Sequence, residues 1–303
     1  STPILIDKDC QFSYRRVSFN VPLDALFFKY DYLLIFVDPR TKNWFLLNDN
    51  PIYVTALVLG YLAIIWIGPK MMKHRKPFEL QTFMVLYNAF LVVLSTYMSF
   101  EIIYSSYLIG YFSSGHPLCA PYKHTINYKD PNELRLANVL YIYFVSKVLE
   151  FMDTFLMVLR KKDNQITFLH VFHHTSILVI WWIVMSYLPG GQSWFSSSMN
   201  CLVHIVMYAY YALAAIPSMR EKLWWKKYIT KFQLVIQTWF TDCDFPVWGI
   251  YMLTWYMIVM LVLFGNFYLQ AYNLKQHKKK AEKDGLYSNG VSNGHSNGHA
   301  KAQ

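Results

Sequence analysis

Between Gln165 and Ile183 the chain is almost wholly apolar, yet Leu169-His170-Val171-Phe172-His173-His174 stands inside it. On an α-helix, at about 100° per residue, the three imidazoles fall within an arc of roughly 100° and share one face. Ionisable groups at membrane depth are costly, so they face a protein interior or a wet cavity. A lone histidine here would read equally well as a buried polar group capped by a neighbouring helix. Three on one face, with further polar residues in two other apolar runs, point to a site.

The composition around this stretch sets the class. Of 303 residues, 55% are hydrophobic, and 24 Tyr, 22 Phe and 10 Trp crowd the chain. A soluble domain of this size rarely has such a composition, so the reading is all-α, a multi-pass helical membrane protein. The net charge of +10 raises nucleic acid as a partner. Lys and Arg, however, cluster at the ends of apolar runs, as membrane topology requires, so no nucleic-acid partner is expected. No cleavable signal peptide is expected, and Ser1 in place of Met suggests a trimmed or incomplete N-terminus. No Asn-x-Ser/Thr sequon and no repeat occurs.

Residues 1–51 read as a polar, amphipathic lead-in on the membrane surface, with charged turns such as Asp38-Pro39-Arg40. Seven spans follow, within 52–274: Ile52 to Ile67, Gln81 to Ile109, Leu134 to Leu159, Ile166 to Leu188, Trp194 to Ile216, Tyr228 to Phe240 and Val247 to Tyr272. The fourth is closed by Pro189-Gly190-Gly191. The sixth is short, at roughly 20 Å of helix against a ~30 Å hydrocarbon core. The remaining 275–303 form a basic tail whose Ser, Asn and Gly end reads as disordered. Connections 70–76, 160–162, 220–231 and 275–283 are basic, whereas the alternate loops hold only Lys123 and Lys129. The basic loops are therefore cytosolic and the N-terminus lumenal or external. Cys119 and Cys243 then share the non-cytosolic side, where the endoplasmic reticulum lumen permits disulfides. A Cys119–Cys243 bridge is expected. Cys10 lies on that side too, and free thiols are the alternative.

Two further helical faces are polar. Lys147, Glu150, Asp153 and Thr154 of span three lie within an arc of about 120°. A self-satisfied Lys147–Glu150 pair is the plain structural account of them. Asn200, His204, Met207, Tyr208 and Tyr211 of span five lie within about 100°. Aromatic stripes at such spacing are ordinarily packing, but here the stripe aligns with Asn200 and His204. Thr230, Gln233 and Gln237 add polar groups to span six, and they can serve simply as bonds between helices. Counting 1.5 Å per residue from the cytosolic ends, Asp153, His173 and His204 lie roughly 9, 12 and 18 Å deep. One polar chamber open to the cytosol, continued by an apolar bore, would use all three.

The motifs Lys147-x-x-Glu150-x-x-Asp153-Thr154, His170-x-x-His173-His174 and Asn200-x-x-x-His204-x-x-Met207-Tyr208-x-Tyr210-Tyr211, with a partial Thr230-x-x-Gln233, stand in order on successive spans. In these the chain resembles the very-long-chain fatty acid elongases, the membrane 3-ketoacyl-CoA synthases. Asp38-Pro39-Arg40 and Asn50-Pro51 are similar too, and the likeness runs from about residue 24 to 280. Around Leu223-Trp224-Trp225-Lys226-Lys227-Tyr228 it is most like the animal subgroup acting on polyunsaturated or very long chains. One departure stands in span six: Gln237 follows Gln233 by four residues where the family has three, and some residues before Asp242-Cys243 are missing.

The resemblance implies seven helices, six of them around a substrate tunnel, in the endoplasmic reticulum membrane. It implies condensation of an acyl-CoA with malonyl-CoA to a 3-ketoacyl-CoA two carbons longer, releasing CO2 and CoA. No cofactor and no metal is implied. An imidazole, His173 by position, would accept the acyl chain, flanked by His170 and His174 to orient or deprotonate it. Asn200, His204 and Tyr208 would steady the enolate, with Lys147, Glu150 and Asp153 in the same catalytic set. Met207, Tyr211, Gln233 and Gln237 would line the substrate. Lys161, Lys226 and Lys227 would meet the CoA phosphates or serve only as topology signals. Implied partners are membrane lipid, the ketoacyl-CoA reductase, dehydratase and enoyl-CoA reductase of an elongation cycle, and, as one option, a second copy of the chain.

Two rival classes fit less well. A di-iron membrane desaturase also carries His-x-x-His-His, but needs about eight histidines in several boxes. Here only His170, His173, His174 and His204 lie in spans. The other is a non-enzymatic seven-helix receptor or retinal protein: a retinal Schiff base needs a lysine in the last span, where 247–272 holds none, and a receptor leaves the histidine face unexplained. Cys201 is a rival nucleophile, since soluble ketoacyl synthases use cysteine. It is expected to be only a small packing residue. For the topology, a glycosylation acceptor tag appended after Gln303 should remain unmodified in cells; its modification would contradict seven spans with a cytosolic C-terminus.

Overall fold

A computed structural model describes residues 37–47, 50–113, 130–220, 251–267 and 269–270. The described elements are helices and turns, with no strand among them. Six helices make the body of the first unit, which ends at Thr254: α1 Ile52–Met72, α2 Gln81–Ile109, α3 Pro131–Leu149, α4 Phe151–Leu159, α5 Phe168–Tyr187 and α6 Ser193–Ala215. A separate apolar helix, α7, covers Tyr251–Phe267. Among the described residues four helices (α1, α2, α5 and α6) are long and apolar enough to cross a membrane. The sixth span, Cys10, Cys119 and Cys243, and the whole of the basic tail 275–303 lie outside the described residues.

Local chemistry sets the ends. Asp130 caps α3 by accepting the Asn132 N–H at 2.8 Å, with Pro131 at the first helical position. Thr167 caps α5 by accepting the His170 N–H at 3.3 Å. Gly110 closes α2 at φ +89, a conformation that suits glycine. Span three is not continuous: Glu150 separates α3 from α4. There the Asp153 N–H donates to the Glu150 carbonyl at 3.1 Å, a tightened i to i+3 contact. The Tyr87 hydroxyl of α2 donates to the Leu149 carbonyl at 3.1 Å.

The packing sorts the helices. α2 lies most extensively against α6 and then α3, α3 against α5, and α1 against α4. Leu59, Leu62 and Trp66 of α1, and Leu86, Phe90 and Val93 of α2, point outward, as a hydrocarbon surround allows. α1 touches the body through few residues, and only Val54, Tyr61 and Met72 are buried. Its approach requires Gly68, because a Cβ there would stand 2.6 Å from Val158 Cγ1 of α4.

The described part of the lead-in, 37–47, is a run of turns docked on helix ends rather than a surface helix. Asp38 and Thr41 are buried. The Asp38 N–H donates to the Ser186 carbonyl at 2.9 Å, and Thr41 Oγ1 donates to that of Met185 at 2.8 Å. Arg40, its side chain 3% exposed, forks onto the Asp38 carboxylate at 2.7 Å. It also donates to the Pro189 carbonyl at 3.1 Å and the Glu133 carbonyl at 3.3 Å. Its Nη1 lies 3.6 Å from Glu133 Oε2. One guanidinium thus ties the lead-in, the start of α3 and the α5–α6 turn. In that turn Gly190 has φ +147, and a Cβ would meet Glu133 Oε2 at 3.8 Å and the Tyr111 hydroxyl at 3.9 Å. The Gly191 N–H donates to that hydroxyl at 3.1 Å. Burial pushes the Tyr111 hydroxyl well above its ordinary pKa, so it stays protonated.

Removing one partner of a buried ion pair leaves an uncompensated charge. Arg40→Ala should therefore destabilise the protein by about 3–5 kcal/mol, read as a lowered unfolding temperature in detergent. Arg40→Lys, which keeps the charge but loses the fork, should fall between.

Candidate active site

The polar residues of span three straddle the break between α3 and α4. Lys147 and Glu150 are 1% and 2% exposed and joined at 2.7 Å from Nζ to Oε1. The pair does not stand alone. Lys147 Nζ also donates to Asn200 Oδ1 of α6 at 3.0 Å, and the Tyr143 hydroxyl donates to the same oxygen at 2.8 Å. His204 Nδ1 lies 3.3 Å from Glu150 Oε1. Lys147 Nζ sits 4.3 Å from the centre of the Tyr143 ring, within cation–π range. An ammonium can only donate, so the Asn200 amide must turn its oxygen to Lys147 and its NH2 the other way.

One turn further on, the Tyr208 hydroxyl donates to Asp153 Oδ2 at 2.9 Å. Asn200, His204 and Tyr208 of α6 thus meet Lys147, Glu150 and Asp153 of α3–α4 in order. The histidine face of α5 reaches the same segment from another side. His170 Nε2 is 2.7 Å from Thr154 Oγ1, and Thr154 Oγ1 is 2.9 Å from the Tyr61 hydroxyl of α1. The His170 and His173 rings lie 4.4 and 5.3 Å from that of His174. His174 is buried with Nδ1 unpartnered among the described residues, as is Glu150 Oε2. His170 and His173 are half-buried.

Other expected residues fall elsewhere. Met207 is half-buried, and Tyr211 is 40% exposed and reaches the cluster only by ring contact, 6.1 Å from Tyr208. Lys161 is at the surface, where Nζ donates to the Lys73 carbonyl at 3.1 Å. Gln233, Gln237, Lys226, Lys227, Cys119 and Cys243 lie outside the described residues. Cys201 is buried, 1% exposed. Among the described residues no group of three or more His, Cys, Asp or Glu side chains is placed to hold a metal ion.

Three participants escape the sequence reading. Tyr143 stands four residues before Lys147, on the same helical face, and that spacing was the available signal. Tyr61 lies mid-helix in the apolar α1, where an aromatic residue ordinarily means packing. Tyr87 acts on a carbonyl exposed by the break at Glu150, which no residue type announces.

An all-helical body with long apolar helices and a buried network of imidazole, carboxylate, amide and ammonium groups defines an integral membrane protein with an interior polar site. Residues 46–281 match the ELO family, described as GNS1/SUR4. The chain belongs to that family. It is 41% identical over 272 residues to "Very long chain fatty acid elongase 5" of Rattus norvegicus, covering 84% of this chain and 85% of the relative. The likeness to the protein of the same name from Homo sapiens is 40% over 265 residues, covering 84% and 85%. That to the one from Tachysurus fulvidraco is 43% over 284 residues, covering 88% and 93%.

The network makes a checkable claim about charge. Lys147→Met leaves the Glu150 carboxylate buried without its ammonium and should cost about 3–5 kcal/mol. Adding Glu150→Gln should recover part of that loss, because the uncompensated charge goes too. Unfolding temperatures of the two variants in detergent check this; independent, additive losses would show that the pair is not the stabilising unit.

Proposed function

We propose that this chain is a fatty acid elongase of the endoplasmic reticulum membrane, a very-long-chain 3-oxoacyl-CoA synthase. It condenses a long-chain acyl-CoA with malonyl-CoA. The observation that carries this reading is the meeting of the histidine face and the Asn200–His204–Tyr208 face on one short charged segment, 147–154. The names of the relatives agree with it.

In the first half-reaction a His173 ring nitrogen attacks the thioester carbonyl. The C–N bond forms, the C–S bond breaks, and CoA leaves as a thiol with the proton the imidazole gives up. His170 and His174 flank His173 and orient it. In the second, malonyl-CoA loses CO2 to give an enolate, whose carbon attacks the acyl carbon. The C–C bond forms, the C–N bond breaks, and the imidazole takes up one proton from solvent, the proton that the decarboxylative condensation consumes. The developing oxyanion needs donors already aimed at it. The Asn200 NH2 is one, turned away from Lys147 by the lock on its oxygen, and His204 is another.

Seven spans with a lumenal N-terminus and a cytosolic C-terminus are proposed with this chemistry. Six of them would surround a tunnel for the acyl chain, with Met207, Tyr211, Gln233 and Gln237 along it. The segment 1–51 would be the lumenal lead-in, 52–274 the catalytic domain and 275–303 the cytosolic tail. Lys161, Lys226 and Lys227 would meet the CoA phosphates. The product would pass to a ketoacyl-CoA reductase, a dehydratase and an enoyl-CoA reductase.

The test is intact-mass analysis after incubation with acyl-CoA alone. An acyl-sized increase that maps to His173, and its loss with all turnover in His173→Ala, is the expected result. Sequential kinetics with no adduct under any quench, or normal turnover by His173→Ala, would assign the histidines acid–base roles only.

A further inference from the structure

Helix α1 is mostly exposed among the described residues, yet one of its three buried residues, Tyr61, is 2% exposed and reaches the histidine face. Its ring stacks on Phe151 with centroids 4.2 Å apart and interplanar angle 23°. Its hydroxyl is 2.9 Å from Thr154 Oγ1, which is 2.7 Å from His170 Nε2. The result is a line of three polar groups drawn from α1, α4 and α5.

That line has a direction. A buried hydroxyl left without an acceptor costs about 1–3 kcal/mol. Among the described residues the Tyr61 hydroxyl has one partner, Thr154 Oγ1, so it satisfies its hydrogen by donating there. Thr154 has a single hydroxyl hydrogen. With Tyr61 donating to its oxygen, the acceptor left for that hydrogen among the described partners of Thr154 is His170 Nε2, so Thr154 donates there. His170 Nε2 is then an acceptor, and the ring proton of the neutral imidazole sits on Nδ1. Which ring nitrogen carries the proton is set by the hydrogen bond made by the other.

We infer that Tyr61 is a positioning residue of the histidine face: through Thr154 it holds His170 as the Nδ1–H tautomer. A helix whose composition alone marks it as an anchor thereby takes part in the site. The inference rests on the proposed acyl-transfer reading for its kinetic consequence, but not for the tautomer.

The test uses the full-length protein in detergent, with Tyr61→Phe, Thr154→Val and the double variant. Phe keeps the ring on Phe151 and removes only the oxygen. The first readout is independent of activity. With 15N-labelled histidine, the His170 signal, assigned by its loss in His170→Gln, should report a proton on Nδ1 in the wild type and mixed tautomers in Tyr61→Phe. The second readout is the rate of acyl-adduct formation on His173. Tyr61→Phe should slow it on the order of tenfold, small beside the roughly 10²–10⁴ of a group that transfers the proton itself. KM for acyl-CoA should hold, and adding Tyr61→Phe to Thr154→Val should bring no further loss.

A wild-type His170 protonated on Nε2, a tautomer unmoved by Tyr61→Phe, or rate losses that multiply in the double variant would each overturn the inference. A tautomer that responds as expected in a protein forming no acyl adduct would uphold the role of Tyr61 and remove the elongase chemistry instead.

Discussion

The structure depends first on the Glu150 carboxylate. Taking an ionised carboxylate out of water costs several kcal/mol even after relaxation, and attraction offsets this only with good geometry and further hydrogen bonds. Lys147 on the same helical face is a necessary answer but an incomplete one. The ammonium has three donors, and it spends them on Glu150, on Asn200 and toward the face of Tyr143. His204 comes to the same carboxylate oxygen. With one oxygen of that carboxylate held from both helices, the register of α6 against α3 is no longer free. Residues 147, 150 and 153 step by three, residues 200, 204 and 208 step by four, and each meets its partner in ascending order. Two ladders that ascend together belong to helices running in the same direction. A single return helix, α5, must therefore connect them.

The other side of the same segment faces the histidines. Thr154 is adjacent in sequence to Asp153, and a step of about 100° turns the next side chain towards α5. Asp153 therefore answers Tyr208 of α6 while Thr154 answers His170. Tyr61 then joins α1 to a body it otherwise meets lightly. The packing device is small: Gly68 lets the α1 backbone close on Val158, and Tyr61 seats on Phe151. In hydrocarbon there is no hydrophobic drive to bring one helix to another, so close packing and hydrogen bonds must hold it.

The faces were legible in the sequence because helical periodicity is a property of residue order. Lys147, Glu150 and Asp153, and Asn200, His204 and Tyr208, could be aligned by angle alone. Depth and partner choice were not. Tyr211 shares the arc of Tyr208 but lies near the end of α6 and is 40% exposed. The break at Glu150 was unreadable because Glu is a good helix former and neither Gly nor Pro marks the place. Residue type does not mark out Tyr61 and Tyr143, because an aromatic ring in an apolar run is ordinarily packing, and only tertiary contact shows which hydroxyls find a partner. Asp38-Pro39-Arg40 reads as a charged turn on a surface. Its burial follows from the Pro189 carbonyl, just past the end of α5 and in need of a donor, and from the Glu133 carbonyl and carboxylate, which take the other arm of the guanidinium.

For the proposed chemistry, placing both functions on residues 147–154 has a consequence. A condensation needs its nucleophile and its oxyanion donors at a fixed separation, because an error of about 1 Å can cost on the order of 10²-fold in rate. Helices in a bilayer shift and tilt against one another, so a separation carried across several interfaces would be loosely held. Here α5 and α6 are each keyed to the same eight residues, His170 through Thr154 and Asn200 through Lys147. The separation of the two faces is then set within one short stretch of backbone, whose tightened turn at Glu150 is bonded from a third helix by Tyr87. Charge buried at that turn is costly, but it gives each neighbouring helix one satisfied position and penalises the others by an unpaired ion. Precision in the site follows from the same energy that makes the segment expensive to bury.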